Sequence, residues 1–162
     1  MNGKPAESRD RLSEVVLDEE TIPRGVIDVD HERAVAIFDL VEENSFGVPR
    51  RDDGPYVLKI SQEESKLTFD VLTSDGEEAV SIVVSMTPLR PLLKDYFMVC
   101  ETYYSAIRTA SPRQIEAIDR ERTALHNEGA DLMAQRLAEK LTIDQGTARR
   151  LFTLVSTLRW KT

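Results

Sequence analysis

Three runs in the middle of the chain alternate apolar and polar positions with a period of two. Tyr56, Leu58 and Ile60 alternate with Val57 and Lys59, Leu67, Phe69 and Val71 with Thr68 and Asp70, and Val80, Ile82 and Val84 with Ser81 and Val83. A strand presents successive side chains to opposite faces, so this pattern predicts three half-buried strands. The connections Gln62–Ser65 and Ser74–Glu77 are of hairpin length, and the second carries the turn-forming pair Asp75-Gly76. Links this short do not make parallel crossovers, so the three strands read as an antiparallel meander. A shorter strand is predicted over Ser13–Leu17, with Val15 and Leu17 on one side.

Elsewhere the apolar spacing is three and four. From Ile27 to Phe46 the stripe Ala34, Ile37, Phe38 and Val41, widened by Val35 and Leu40, predicts a helix. Asp28 or Asp30 suits its positive end, and Gly47 and Pro49 stop it. Glu42 and Glu43 oppose the dipole at its other end, which calls for a cation from elsewhere in the molecule. After Thr87-Pro88 the chain reads as helical to its end. A first helix has the broad face Leu92, Leu93, Tyr96, Phe97, Val99, Cys100, Tyr103, Tyr104 and Ile107, with Lys94, Asp95, Glu101, Ser105 and Arg108 on its solvated stripe. Ser111-Pro112-Arg113-Gln114 is a capping box that opens a second, long helix through Ile115, Ile118, Leu125, Leu132, Leu137 and Leu141, with Gly129 as a point of kinking or division. Asp144 caps a third, whose Ala148, Leu151, Phe152, Val155 and Leu158 face the core.

Strands grouped apart from helices define an α+β fold: a three- or four-stranded antiparallel meander packed against about four helices, the last three consecutive in sequence. The 162 residues fit one domain over residues 13–162, preceded by a disordered tail over residues 1–12 that has charge, Gly and Pro but no periodicity. No apolar run approaches the roughly 18 residues that span a bilayer, so no membrane is expected as partner and a cytoplasmic address is. The single cysteine, Cys100, lies in the apolar run Tyr96–Cys100 and reads as a small core residue rather than a nucleophile.

Net charge is −8, which argues against nucleic acid as the main partner. The charge is uneven, with 9 basic and 20 acidic residues up to Met86 against 12 basic and 9 acidic beyond it. Such a split marks either an interaction surface or two halves that pack against each other. No phosphate-binding glycine loop, Cys-x-x-Cys pair, His-Glu-x-x-His or Gly-x-Ser-x-Gly element occurs, so no catalytic residue, metal ligand or cofactor is assigned. The candidate binding residues are two histidines and their neighbours: His31, Glu32 and Arg33 at the start of the first helix, and His126, Asn127 and Glu128 midway along the long one. Imidazoles beside carboxylates serve acid–base chemistry or hold ligands. His126 and Glu128 are two apart on a helix and project to different sides, and a histidine bonded to a neighbouring side chain is the structural alternative.

Asp28 to Ile37 with Leu40 to Phe46, Lys94-Asp95-Tyr96-Phe97, Tyr103 to Arg108, Gln114 to Asp119, Leu125 to Gly129 and Ala148 to Leu154 together resemble a family of short bacterial proteins, mostly alphaproteobacterial, known only as an uncharacterised protein family. The resemblance covers nearly the whole chain after the first dozen residues. It implies no activity, cofactor or catalytic residue. Because it runs through both histidine segments, it favours His31 and His126 belonging to one site.

Three functions remain open. The first is a binding or regulatory module working through protein contacts or self-association, as the apolar helical half and the charge split suggest. The second is a small enzyme or anion-binding protein with a His/carboxylate site, in which the positive end of the first helix favours a small anion over zinc. The third is a nucleic-acid accessory protein using Arg149, Arg150, Arg159 and Lys161.

Overall fold

The computed structural model describes residues 9–158. The chain runs β1 (Leu12–Leu17), α1 (Ile27–Glu42), β2 (Phe46–Gly47), β3 (Tyr56–Glu63), β4 (Lys66–Leu72), β5 (Glu78–Ser85), a 3-10 turn over Thr87–Leu89, α2 (Arg90–Thr109), α3 (Pro112–Leu137), β6 (Thr142–Ile143) and α4 (Gln145–Ser156). This is the α+β layout that the periodicities predict. Of the expected tail, residues 1–8 lie outside the described residues. Arg9 to Leu12 belong to the domain: the Tyr56 amide donates to the Arg11 carbonyl and Leu12 begins β1.

The four-stranded sheet has the order β1-β3-β4-β5. β3, β4 and β5 form the expected antiparallel meander, with Ile60 opposite Phe69 and Phe69 opposite Ile82. β1 departs from it by pairing parallel to β3, Val15 beside Leu58 and Leu17 beside Ile60, so the sheet is mixed. The reason is the connection. The segment from Asp18 to Pro55 contains α1, and a helix is what a parallel crossover requires. The registers place Val15, Leu58 and Val71 in one row and Ile60, Phe69 and Ile82 in the next, and all six are buried. The other face carries Lys59, Asp70 and Ser81, with Ser81 Oγ donating to Asp70 Oδ1 at 2.7 Å.

α1 stops four residues before the expected end. Asn44 terminates it by donating from Nδ2 to the Leu40 carbonyl at 2.8 Å, while its Oδ1 accepts the Leu12 amide at 2.8 Å. Phe46 therefore leaves the helix and pairs as β2 with Ile143 of β6. The capping box at Ser111 and the cap at Asp144 form as read.

α4 is the hub. It lies between α1 and α3, and Ala148, Leu151, Phe152, Leu154 and Val155 are fully buried. α1 runs antiparallel to it: the start of α1 reaches the end of α4 through Arg33, and Glu43 beyond the end of α1 meets Arg150 in α4 at 3.4 Å. Arg150 is the cation that the acidic end of α1 calls for. Gly129 does not divide α3, which is one helix from Pro112 to Leu137. A Cβ on Gly129 would lie 2.2 Å from the Phe152 ring, so glycine is there to let the aromatic ring lie against the α3 backbone. The buried seam of α3 is Gly129, Ala130, Met133 and Leu137, whereas Ile115, Ile118, Leu125 and Leu132 are half-buried along its flank.

Three positions of the predicted α1 stripe, Ala34, Val35 and Phe38, are solvent-exposed. Phe38 is 63% exposed and Val35 45%, because α1 buries the face carrying Val29, Arg33, Ala36 and Leu40 instead. In α2 the apolar face is covered over its first half, but Tyr104 and Ile107 project where the helix outruns the core.

Candidate functional site

Three helices meet at His126. It sits on α3, one turn before Gly129, and its ring lies edge-on to Phe152 of α4 at 5.2 Å and tilted against Tyr96 of α2 at 5.8 Å. Its Nε2 is 2.7 Å from Thr153 Oγ1. The Thr153 hydroxyl gives its one proton to the Arg149 carbonyl at 3.1 Å, so toward the imidazole it accepts. With the hydroxyl so engaged, the ring meets Thr153 as donor in the tautomer that carries its proton on Nε2. Among the described residues Nδ1 is buried and without a partner, as is Oδ1 of the adjacent Asn127. Burial, reinforced by the charges of Arg149 and Arg122, pushes the His126 pKa down to about 4, so the ring is neutral at physiological pH.

Tyr96 and Cys100, one turn apart on α2, line the same junction. Burial pushes both the phenol and the thiol up, so neither ionises near neutrality and Cys100 stays an uncharged, half-buried thiol. Arg122 pairs with Asp119 and lays its guanidinium 4.1 Å above the Tyr103 ring.

His31 is elsewhere. It lies two residues before the inward-facing Arg33 and therefore on the opposite side of α1, exposed to solvent. The structure brings His126 together with Thr153, Tyr96 and Phe152, not with His31. Arg33 is buried and serves the fold: Nε donates to the Thr157 carbonyl at the end of α4 at 3.1 Å, and Nη1 to the Pro23 carbonyl at 3.0 Å. A cation there also complements the negative end of the α4 dipole. Glu32 is exposed, and its charge reaches the Cys100 thiol. Glu128 is exposed on α3. The positive end of α1 already holds carboxylates, Asp28 and Asp30, and Asp30 accepts the Gly25 amide at 2.9 Å. Arg150 is engaged with Glu43, and Arg159 and Lys161 lie outside the described residues. Among the described residues no group of three or more His, Cys, Asp or Glu side chains is placed to hold a metal ion, and no helix is long and apolar enough to cross a membrane.

The surface that the periodicities marked as core but the fold leaves open is the outer face of α1. Ile27, His31, Ala34, Phe38 and Val41 follow one another at spacings of four, three, four and three. That spacing makes one continuous stripe on a helix. Ile27 is 85% exposed, Phe38 63%, and Val35 flanks them. Asp28, Glu32, Asp39 and Glu42 border the stripe and are exposed. The signal was present as a second apolar stripe on a helix that needs only one to join the core.

These elements define an α+β domain with a mixed sheet, a hub helix whose apolar face is fully buried, and a neutral histidine at a three-helix junction. The chain belongs to the Uncharacterised protein family (UPF0262), whose model matches residues 9–161. It is 53% identical over 151 residues to a UPF0262 protein of Methylobacterium radiotolerans, covering 93% of this chain and 94% of the relative. A UPF0262 protein of Rhizobium etli is 55% identical over 151 residues, 93% of this chain and 96% of the relative. One of Rhodopseudomonas palustris is 49% identical over 160 residues, 99% and 98% of the two chains. All three organisms fit the alphaproteobacterial resemblance. No solved structure matches the chain.

Proposed function

We propose that the protein is a cytoplasmic binding module that works through protein contacts, with the outer face of α1 as its docking surface. The observation that carries this reading is Phe38, a large aromatic held in solvent on a helix whose opposite face already fills the core. Contiguous exposed apolar surface with a charged border is the usual form of a docking patch. The border is acidic, which selects the partner: a helix with an apolar stripe and cationic flanks. A second copy docking antiparallel through the same face would bring one acidic flank against the other, Asp28 toward the copy's Glu42, so self-association in that arrangement is disfavoured.

A labelled 14-residue model helix, with leucine along one stripe and lysine elsewhere, tests this by fluorescence anisotropy. Val35→Glu and Phe38→Glu both add negative charge while removing the apolar contact. If the stripe is the dock, each lowers affinity about tenfold or more, the equivalent of roughly 1.4 kcal/mol. Unchanged or tighter binding would mean that charge alone recruits the peptide, and the reading would fall.

A further inference from the structure

The two edges of the sheet are treated differently. At β1 Asn44 caps the start of the outer edge: its Oδ1 accepts the Leu12 amide and its Nδ2 lies 3.3 Å from the Leu12 carbonyl. At β5 the outer edge faces a groove of about 440 Å³, with Ile82, Val83, Val84 and Ser85 on one wall and Gln135, Arg136, Glu139 and Lys140 on the other. The phase of the ladder shows which backbone groups this edge presents. Met86 donates its amide to the Ser65 carbonyl at 2.8 Å, so Met86 points inward to β4, and the antiparallel alternation turns Ser81, Val83 and Ser85 outward. The contact of Lys140 Nζ with the Ser81 carbonyl at 3.4 Å confirms that phase independently. That long, single contact leaves the outward groups of Val83 and Ser85 facing the groove.

We propose that this groove binds an extended segment of another protein, which adds to the sheet as a fifth strand along β5 through the backbone groups of Val83 and Ser85. A strand edge open beside a helix terminus is the geometry of strand addition, in which main-chain hydrogen bonds supply affinity and flanking pockets supply selectivity. Two features specify the segment. Val83 is 60% exposed on the outer face of the sheet, so an apolar or β-branched residue belongs beside it. Arg136 and Lys140 outnumber Glu139 on the helical wall, so a carboxylate belongs on that side. A second copy of the chain pairing β5 to β5 would bring its own Arg136 and Lys140 toward these cations, which favours a lone strand over a sheet-to-sheet dimer. This site is separate from α1 and does not depend on the function assigned to that face.

The test uses the full chain and a capped six-residue peptide alternating valine with aspartate. The expected result is slowed amide exchange at Val83 and Ser85 on adding the peptide. The same peptide N-methylated at alternate residues, which cannot pair as a strand, should give no slowing. Val83→Pro removes an outward amide and leaves the β4–β5 ladder intact, so it should abolish binding. Lys140→Glu, on the exposed wall, should weaken binding at least about fivefold whether or not the proline variant folds. Equal binding of the N-methylated peptide, protection elsewhere than β5, no binding at millimolar peptide, or a sedimenting dimer held by β5 would each overturn the proposal.

Discussion

α1 and α4 lie side by side and antiparallel, yet they are used in opposite ways. α4 has one broad apolar face and the molecule covers it: α1 lies on one flank, α3 on another, and Ala148, Leu151, Phe152, Leu154 and Val155 are sealed from water, while Gln145, Arg149 and Arg150 keep the polar side. α1 has apolar residues on two sides, but only the side carrying Val29, Ala36 and Leu40 is covered. Its other stripe, with Phe38 on it, faces solvent beside a flank of carboxylates. An apolar helix face thus has two fates, hub or dock. What separates them here is the number of neighbours that the fold supplies.

The sharpest way to break this comparison is at the hub. Phe152→Ala removes a fully buried ring that touches Tyr96, His126 and the Gly129 backbone on two other helices. It should cost about 3–5 kcal/mol, a large share of the stability of a domain this size. Chemical denaturation measures it, and a loss under about 1 kcal/mol would mean that α4 is not the hub.

The contrast also shows what local pattern encodes. The strands β3 to β5, the caps at Ser111 and Asp144 and the core face of α4 were legible because each depends on neighbours in sequence. The parallel pairing of β1 was not, since its partner lies beyond α1 and a strand's own alternation carries no information on the direction of its neighbour. The end of α1 was misplaced because Phe46 extends the apolar pattern, while the side chain that stops the helix, Asn44, acts through contacts with β1. Phe38 was misassigned for a related reason: periodicity marks an apolar stripe but not whether anything covers it. At the candidate site, the structural alternative for His126, a bond to a neighbouring side chain, is what Thr153 provides. The placement of His31 on the far side of α1 depends on which stripe turns inward, and a single sequence leaves both open.

A smaller effect probes the polar margin of the hub. His126 is neutral in the fold with its pKa pushed down to about 4, against about 6.5 in an unfolded chain. Between those values the unfolded chain binds the extra proton, so stability falls as pH drops through about 6.5 and the loss is complete below about 4. The ring is only half-buried, and solvent screening reduces the loss to about 1 kcal/mol at pH 5. Denaturation at pH 7 and pH 5 should show this decrement in the natural chain. It should be smaller in His126→Gln, which keeps an amide donor for Thr153 but does not titrate. An equal decrement in both chains would assign the acid sensitivity to other groups.

The smallest stability effect is expected at the dock, and its smallness is informative. Phe38 stands 63% exposed, so truncating it opens no cavity and removes little area from burial. Alanine is also the better helix former, which offsets part of what is lost. Phe38→Ala should therefore change unfolding free energy by no more than about 0.5 kcal/mol in either direction. A loss of 3 kcal/mol or more, on the scale of Phe152→Ala, would mean that something in the folded chain covers the outer stripe of α1. The same variant should bind the lysine-flanked model helix less tightly. Unchanged stability with lost affinity is the signature of a side chain kept for a partner, and at the hub the two quantities should fall together.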